Sequence, residues 1–439
     1  MDKTLVNQKS KPSRNKGIGW TVRYTLLNAT YFVAFCTIHA CAAVYLLANG
    51  FTNTEVGILL AAANVLSAIA QPVIAGIIDR PGPLTNRRFI LISVMVILLG
   101  SIVLMFVPDR KAVIFPVFAL IYMIQFAYQP VMTALCFEYQ KAGCNIFYGL
   151  ARGLGSASFA VTSAIIGGLV EKQGVTILLW VNIVAMVLSA VLIWTFTKPE
   201  PIEGLAPARV SSLKCLASTG ESPDASETAS SAEETVVKPQ EAHNNFFDFV
   251  RTYPAFAVFL VATICFFFAH NMINDFMIQI IRNLGGGERQ LGYANFLQAI
   301  LELPVMAASA LILKKISAKS LLVFSGVAFL VKILILVFAS NMPMMYVSQS
   351  IQLFAYAVFI PAGAYYVSST MEELDQVKGQ AFITSGITIG GVFSNLVSGV
   401  ILDHLGIRAM LITGSVVCAI GVGIAFFAMT KLPHHRRAS

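Results

Sequence analysis

The sequence predicts an all-α membrane protein with twelve transmembrane helices in two pseudo-symmetric six-helix bundles. Three observations predict this: the composition, the length of the apolar runs, and a repeat that relates the two halves. Of the 439 residues, 57% are hydrophobic and 12% are charged, whereas soluble domains carry roughly 25% charged residues. Crossing ~30 Å of hydrocarbon takes about 20 helical residues, and only helices or closed barrels satisfy their backbone hydrogen bonds there. The apolar runs lack the alternation of β-strands, which favours helices.

The apolar runs give twelve spans. They cover residues 22–48, 54–79, 88–107, 112–138, 146–170, 175–197, 254–281, 289–313, 320–340, 343–370, 380–402 and 407–429. The first six form an N-terminal bundle over 22–197, and the last six form a C-terminal bundle over 254–429. Residues 1–21 and 430–439 are predicted to be cytoplasmic tails.

One long polar segment, residues 198–253, joins the sixth and seventh spans. Its centre is rich in Ser, Thr, Ala and Glu and has too few large apolar residues to fold by itself. We expect a cytoplasmic linker, largely disordered, that ties the two bundles together. A regulatory site in this segment is the alternative.

The basic residues predict the orientation. With a cytoplasmic N-terminus, the inner segments hold 22 of the 30 Lys and Arg residues and the outer loops hold six. Positive charges concentrate on the cytoplasmic side of membrane proteins. We therefore expect a multi-pass protein of the cytoplasmic (inner) membrane with both termini in the cytoplasm. The net charge of +8 belongs to these segments, so nucleic acid is not an expected partner.

The sequence offers no catalytic or metal-binding motif. Its seven cysteines are scattered without metal-ligand spacing and lie mostly in apolar runs, as small buried hydrophobic residues do. We find no nucleophile motif or phosphate-binding loop, so we expect no enzymatic activity and no cofactor. The first twenty residues are basic and polar with no apolar core, so no cleaved signal peptide is expected.

The two halves repeat each other at a nearly constant offset. Polar residues 231 positions apart form the pairs His39 and His270, Asn64 and Asn295, Ser67 and Gln298, and Gln71 and Glu302. The glycine pair Gly167 and Gly174 recurs 232 positions later as Gly399 and Gly406. Such duplicated halves place a solute site near the membrane midplane, between the repeats.

Eight spans carry polar side chains along one helical face. The second span has Asn64, Ser67 and Gln71, and the eighth has Asn295, Gln298 and Glu302, both at spacing i, i+3, i+7. The others include Gln125 and Gln129 in the fourth span, Arg152, Ser156 and Phe159 in the fifth, Asn274 and Asp275 in the seventh, and Gln352 and Tyr356 in the tenth. Together these stripes predict a central aqueous cavity. The alternative for any single residue is an interhelical hydrogen bond of about 0.6 kcal/mol.

Ionisable residues inside the spans are the strongest functional candidates, because each costs about 2.5–3.5 kcal/mol to insert. Arg152 and Glu302 lie one in each half, each on a polar face. An arginine can hold a hydroxyl-rich or anionic ligand bidentately, and a carboxyl group in an apolar wall can take up and release a proton. Asp275, near the outer end of its span, could instead be solvated or ion-paired. Lys332 lies in a helix that we expect outside the cavity, so it could have a structural partner instead of a transport role. His39 and His270 could be hydrogen-bonded spacers or proton carriers.

The connection after the second span resembles the cytoplasmic loop signature of the major facilitator superfamily. It reads Gly76-Ile-Ile-Asp79-Arg80-Pro-Gly82 followed by Asn86-Arg87-Arg88. The resemblance departs in two places: Ala75 stands where a glycine is expected, and residues 83–86 are inserted before the basic pair. It implies that Asp79, Arg80, Arg87 and Arg88 latch the cytoplasmic ends of the two halves.

Within that superfamily the chain is most similar to the branch of lactose permease and the nucleoside–proton symporters. Three stretches carry the likeness: Ala70-Gln71-Pro72, the segment 147–155 around Arg152, and Glu302-Leu-Pro304 leading to Lys319. The resemblance implies that Arg152 holds the substrate, that Glu302 is the essential carboxylate of the eighth helix and that Lys332 is a basic residue of the ninth. It also places Phe159 where sugar permeases have a stacking Trp. Gln352 and Ala355 replace the His and Glu that handle protons in lactose permease.

These observations lead us to expect a secondary transporter that moves a small polar solute, a saccharide or nucleoside, by alternating access and proton-coupled symport. The expected solute contacts are Arg152, Glu302, Asn64, Asn295, Gln125, Gln129, Phe159 and Gln298. Protonation of Glu302 or Asp275 is expected to couple transport to the proton gradient. Besides solute, proton and lipid bilayer we expect no partner, and we expect a monomer. The alternatives are an exporter of drugs or metabolites and a nutrient sensor that binds without turnover.

Overall fold

The structure is a computed structural model that describes residues 18–197, apart from positions 79, 81 and 109, and residues 246–432. The predicted tails and most of the predicted linker lie outside these residues. Within the described part the chain is helical and contains no strand. Among these described residues, eleven helices and one bent helix pair are long and apolar enough to cross a membrane, which confirms the twelve predicted spans.

The N-terminal bundle contains six spans. The first is bent by 51° and consists of α1 (Ile18–Phe35), a π-helical turn (Cys36–Ala40) and α2 (Ala42–Ala48). The other five are α3 (Asn53–Ile78), α4 (Asn86–Phe106), α5 (Lys111–Lys141), α6 (Tyr148–Gln173) and α7 (Thr176–Thr195).

The C-terminal bundle begins with a short helix, α8 (Phe246–Thr252), which occupies the end of the predicted linker. The seventh span consists of α9 (Pro254–Asp275) and α10 (Met277–Asn283), and the eighth and ninth are α11 (Glu288–Lys315) and α12 (Ala318–Val337). The tenth span is broken into α13 (Met342–Ser350), a 3₁₀ turn (Ile351–Leu353) and α14 (Tyr356–Thr370). The last two spans are α15 (Glu373–His404) and α16 (Gly406–Lys431). Phe249 of α8 is buried against Tyr253, Phe256 and Phe382, so this part of the linker is packed.

Local sequence explains where several helices begin. Thr85, Ser317 and Asn341 each accept a hydrogen bond from the backbone N–H three residues later, and so cap α4, α12 and α13. A glycine stands where the last helix of each bundle begins: Gly174 lies two residues before α7, and Gly406 is the first residue of α16. Both glycines have φ of +80°, a conformation that only glycine adopts without strain.

Two helix pairs join the bundles: α6 packs along α11, and α3 packs along α15. Glycines make both contacts close, because a Cβ atom would collide with backbone of the other bundle at four positions. These contacts are Gly57 against Asn395, Gly399 against Asn53, Gly167 against Glu288, and Gly292 against Ser163. Small residues allow this approach of helix backbones, as is common in membrane bundles.

The number of residues that separates equivalent positions in the two halves is 232 for the fifth and eleventh spans. It is 235 for the first two spans of each half. Gly167 and Gly399 occupy equivalent contacts, as predicted. Gly57 and Gly292 are also equivalent, however, and lie 235 positions apart, as do the helix breaks at Cys41 and Phe276. The expected offset of 231 in the first two spans of each half was therefore wrong.

The observed offset of 235 and the expected offset of 231 differ by four residues. Because this is about one helical turn, the polar faces stay aligned, and the sequence pattern could not reveal the shift. With the offset of 235, His39 corresponds to Asn274 and not to His270.

The bundles meet at one end of the molecule, which we call the closed end. It carries the connections 49–52 and 284–287 and the turn at Leu405. Every hydrogen bond between described residues of the two bundles lies there, and two carboxylates make most of them. Asp403 accepts from the backbone N–H of Asn53 at 3.2 Å and of Thr54 at 2.7 Å. Glu171 accepts from the backbone N–H of Arg289 at 3.0 Å and pairs with its guanidinium at 3.1 Å.

The opposite end, which we call the open end, carries residues 82–85 and the connections 142–147 and 371–372. Helices α3 and α6, which pack against the other bundle at the closed end, also carry glycines near the open end, and these glycines have open space beside them. A Cβ atom at Gly76 of α3, or at Gly149 or Gly153 of α6, would meet nothing within 4 Å. The gap between the bundles therefore opens at this end.

Candidate solute site between the two bundles

Arg152 lies one turn into α6 and is half-buried. Its guanidinium lies over the ring of Phe32, with 4.4 Å between Cζ and the ring centroid, and donates a hydrogen bond to Ser156 Oγ at 3.1 Å. Stacking on an aromatic face orients the planar guanidinium and leaves N–H groups free for a ligand. The cation is therefore held by its own bundle without a carboxylate partner among the described residues.

Glu302 of α11 is linked to Lys332 of α12 through Gln352. The Lys332 ammonium is fully buried and donates to Gln352 Oε1 at 2.7 Å, and Gln352 Nε2 donates to Glu302 Oε1 at 2.9 Å. Ser348 donates to the backbone oxygen of Lys332 and so fixes α12 against α13. A buried cation must be paired. The sequence placed Lys332 outside the cavity, whereas the structure joins it to Glu302 through one amide.

Tyr356 of α14 lies within electrostatic range of both predicted charges. Its phenol interacts electrostatically with Glu302 of its own bundle and with Arg152 of the other. The ring stacks on His270 with centroids 5.4 Å apart and planes inclined by 17°. Arg152 and Glu302, which belong to different bundles, therefore both lie near the Tyr356 phenol. Tyr356 is not among the solute contacts expected from the sequence, although the polar stripe of the tenth span contains it.

Two predicted contact residues, Gln125 and Gln298, form hydrogen bonds inside their own bundles. Gln125 is fully buried and donates to Asn182 Oδ1 at 3.4 Å. Gln298 is 9% exposed and donates to Asn274 Oδ1 at 3.2 Å, and Asn274 in turn bonds His270 Nε2 at 2.9 Å. Both side chains therefore make the interhelical hydrogen bonds that were the alternative to ligand contact.

Aromatic rings form one wall of the N-terminal bundle. The His39 ring lies between Phe35, at 3.9 Å between centroids, and Tyr122, at 3.8 Å. Phe126 contacts Phe35 edge-on at 5.6 Å, and Phe159 lies 6.4 Å from Phe35. Phe35, Phe126 and Phe159 are only partly buried, so their rings can contact a ligand in the gap.

The remaining predicted contacts are spread along the gap. Asn64 and Gln129 are half-buried on α3 and α5. Asn295 lines a narrow crevice near the closed end with Cys36, Ser163 and Gly292. Because seven residues of helix, about 10 Å, separate Asn295 from Glu302, these two cannot contact the same small group.

The basic residues of the predicted latch lie at the open end. Arg87 donates to the backbone oxygens of Ile193 at 3.1 Å and Trp194 at 2.7 Å, which end α7. Arg88 donates to the oxygen of Pro83. These bonds stay inside the N-terminal bundle, as expected where the two bundles are apart. Asp79 lies outside the described residues.

The comparisons with known proteins agree with this architecture. A family model for the MFS_1 like family matches residues 24–413. Among solved structures, a point mutant of the nucleoside transporter NupG is 13% identical with a TM-score of 0.72, and covers 94% of this chain and 100% of its own. A POT family transporter in complex with a thioalcohol-conjugated peptide is 12% identical with a TM-score of 0.68, covering 94% and 97%.

A bacterial homologue of the human lysosomal transporter Spinster, in an inward-facing and unoccupied conformation, is 11% identical with a TM-score of 0.61, covering 93% and 96%. No curated protein gives a significant match. Because the family model spans most of the sequence, the protein belongs to the MFS_1 like family of membrane transporters and is not an enzyme.

Proposed function

We propose that the protein is a proton-coupled symporter that carries a small polar ring compound, a nucleoside or saccharide, across the cytoplasmic membrane by alternating access. The observation that carries this proposal is the pair Arg152 and Glu302, which approach Tyr356 from opposite bundles. A solute held by both would bind in a gap that can be exposed to one side of the membrane at a time.

The side chains around the gap fit a ring that carries hydroxyl groups. The Arg152 guanidinium can donate two parallel hydrogen bonds, and the Glu302 carboxylate can accept from a hydroxyl group. The partly buried rings of Phe35, Phe126 and Phe159 offer a stacking face. Asn64 and Gln129 complete the proposed contacts, with Asn295 nearer the closed end. The structural likeness to NupG, named a nucleoside transporter, supports a nucleoside as the first solute to test.

Glu302 is the proposed proton carrier. Ionised, it accepts a hydrogen bond from Gln352 and balances the charge of Lys332. Protonated, it presents an O–H donor in place of an acceptor, so its bonds to solute and to Gln352 change together. Such a change can link protonation to solute affinity. Asp275, beside the inter-bundle contact, is the second candidate.

In the predicted orientation the open end faces the cytoplasm, which makes this conformation inward-facing. We propose that Arg80, Arg87 and Arg88, with Asp79, contact the C-terminal bundle when the open end closes. Arg87 would then exchange the carbonyl oxygens at the end of α7 for a partner on the other bundle. The protein is proposed to act as a monomer, because both bundles of the site come from one chain.

Reconstituted proteoliposomes test the proposal. With an imposed proton gradient, the protein should accumulate a nucleoside or saccharide from a panel. Glu302→Gln should lose uphill accumulation and keep solute exchange, because exchange needs binding and closure but no net proton movement. Glu55→Gln, which breaks an ion pair with Lys111 at the closed end, is the matched control and should accumulate normally. Uphill accumulation by Glu302→Gln at the normal level would remove Glu302 from the coupling mechanism.

The aromatic wall around Phe35 favours one further carrier, an exporter of amphipathic drugs or metabolites. The direction of transport in everted membrane vesicles distinguishes such an exporter from the proposed symporter. Accumulation inside everted vesicles indicates export, and proton-driven loss from preloaded vesicles indicates uptake.

A further inference from the structure

A groove on the C-terminal bundle takes no part in the proposed solute site. Helix α14 packs against both α11 and α12 and forms the floor of this groove. The groove encloses about 200 Å³ and is lined by Val305, Ser309, Ile312 and Leu313 of α11, Leu321 of α12 and the part of α14 around Pro361. These residues lie in the halves of the eighth, ninth and tenth spans that are nearer the open end.

The lining of the groove is apolar. Its one polar side chain, Ser309, donates its hydroxyl hydrogen to the backbone oxygen of Met306 at 2.7 Å. Beside the groove, the large apolar side chains of Leu311 on α11 and Phe324 on α12 are exposed, as is typical of a surface that contacts a membrane. The groove therefore offers hydrocarbon contacts to the bilayer and no free hydrogen-bond donor.

Three lysines lie at the end of the groove that is nearest the open end. Lys314 and Lys315 end α11 directly after the lining residue Leu313, and Lys319 lies in the first turn of α12, two residues before the lining residue Leu321. Lys314 and Lys315 are exposed, and no salt bridge between described residues includes either of them. Orientation in the membrane requires basic residues on this side, but it does not require them at the mouth of an apolar groove.

The start of α12 adds to the positive potential at this mouth. Ser317 caps the helix by accepting a hydrogen bond from the N–H of Ser320 at 3.2 Å, and the other N–H groups of the first turn leave a partial positive charge. By contrast, Arg87 and Arg88 at the same end of the N-terminal bundle donate to carbonyl oxygens of their own bundle. The mouth of the groove therefore favours an anion.

An apolar groove with a cationic mouth suits a ligand that has a hydrocarbon chain and a negative head. The segments of this chain outside the described residues do not match that chemistry. Residues 1–17 and 433–439 carry a net positive charge, and residues 198–245 contain no long apolar run. Basic pockets between transmembrane helices on the cytoplasmic side commonly bind the head groups of anionic lipids.

We propose that the groove and the three lysines at its mouth bind one anionic phospholipid of the cytoplasmic leaflet, with an acyl chain along α14 and the phosphate between Lys314, Lys315 and Lys319. In the predicted orientation the open end faces this leaflet, which carries the anionic lipids. The bound lipid joins the ends of α11 and α12. Because the site takes up neither solute nor proton, it goes beyond the proposed transport function.

The test uses the purified full-length protein in a neutral detergent without any solute. Its thermal unfolding is compared in short-chain phosphatidylglycerol, in phosphatidylcholine with the same chains, and in glycerol phosphate, which has no chains. We expect a saturable rise of a few degrees with phosphatidylglycerol alone, because a ligand of the folded state raises the melting temperature.

Variants of the lysines test the head-group contact. The double variant Lys314→Gln/Lys315→Gln should need about tenfold more phosphatidylglycerol for the same rise, since each lysine near an anionic lipid contributes about fivefold in affinity. Lys141→Gln removes an exposed lysine from the end of α5, at the open end of the other bundle, and should respond as the wild type does.

Variants of α11 test the groove. Ser309→Phe fills the groove and should abolish the rise, whereas Leu311→Phe, at an exposed position of the same helix that does not line the groove, should keep it. Native mass spectrometry of the wild type gives a measurement that does not depend on the folding of a variant. It should show one phosphatidylglycerol held by the protein, which excess phosphatidylcholine does not displace.

Four results would overturn the proposal. Equal rises with both phospholipids would indicate unselective binding of hydrocarbon, and an equal rise with glycerol phosphate would indicate a site for free phosphate. An unchanged response of the double lysine variant would exclude the head-group contact, and an unchanged response of Ser309→Phe would exclude the groove. Since no transport is measured, a negative result here leaves the test of Glu302 untouched.

Discussion

Glu171 and Asp403 lie 232 positions apart and perform the same task in the two bundles. Each carboxylate crosses the gap and accepts hydrogen bonds from the first turn of a helix in the other bundle, Glu171 from α11 and Asp403 from α3. The N-terminus of a helix has unpaired N–H groups and a partial positive charge, so it attracts a carboxylate. The closed end is thus held by two related contacts, which must both break before it can open.

Replacing Asp403 with Asn should loosen the closed end. The neutral amide loses the charge-assisted bonds to Asn53 and Thr54, and the loss of such a cap costs about 1 kcal/mol, or roughly a fivefold shift in the opening equilibrium. Hydrogen–deuterium exchange at the start of α3 should quicken accordingly. Glu288→Gln, which removes a carboxylate paired with Arg282 at the closed end and leaves α3 and Asp403 unchanged, is the control. Unchanged exchange in Asp403→Asn would show that this contact does not hold the end closed.

Replacing Gly57 with Val should prevent full closure. Any Cβ atom there meets the backbone oxygen of Asn395, and backbone cannot move aside as a flexible side chain can. We expect solute exchange to fall to a small fraction of the wild-type rate while the protein still folds. Gly423→Val is the matched control at an exposed position of α16, where a Cβ atom meets nothing within 4 Å, and it should transport normally. Normal exchange by Gly57→Val would mean that close packing of α3 and α15 is dispensable.

Replacing Lys332 with Met should destabilise the C-terminal bundle. The change leaves Gln352 without its donor and Glu302 without its counter-charge, and breaking a buried pair costs about 3 kcal/mol. Adding Glu302→Gln to this variant should restore part of the loss, because no unpaired charge then remains. Thermal unfolding of the two single variants and the double variant measures the coupling energy. Strictly additive effects would contradict the link through Gln352.

Replacing Arg152 with Lys should weaken solute binding by tenfold or more. Lysine keeps the charge but loses the two parallel donors and the planar group that stacks on Phe32. Isothermal titration of the identified solute measures the change. Arg23 also lies over an aromatic ring, that of Trp20, so Arg23→Lys is the control for a lost arginine–aromatic contact. Equal affinity in Arg152→Lys and wild type would exclude a bidentate role.

The twelve spans could be predicted from the sequence, because the length and apolarity of a segment decide whether it crosses a bilayer. The offset of the fifth and eleventh spans, where Gly167 and Gly399 mark a close contact, could also be predicted from the sequence. The sequence pattern misaligned the first two spans by one turn, since a shift of four residues leaves the same helical face inward and only contacts such as that of Gly57 fix the register.

The site itself was harder to predict. The link from Lys332 to Glu302 depends on the 3₁₀ turn that presents Gln352, and no periodic pattern reveals such a break in a span. Gln125 and Gln298 carry the same side chain as residues that face the gap, so composition alone could not separate interhelical bonds from ligand contacts. The opening at one end is a property of the conformation, which a sequence pattern does not specify.

The most direct test of the central claim is a cryo-electron microscopy structure of the protein with its identified solute bound. We predict solute density between the two bundles, with polar atoms about 3 Å from both the Arg152 guanidinium and the Glu302 carboxyl group. Density confined to one bundle, or in the crevice beside Asn295 with Arg152 and Glu302 unengaged, would contradict the account.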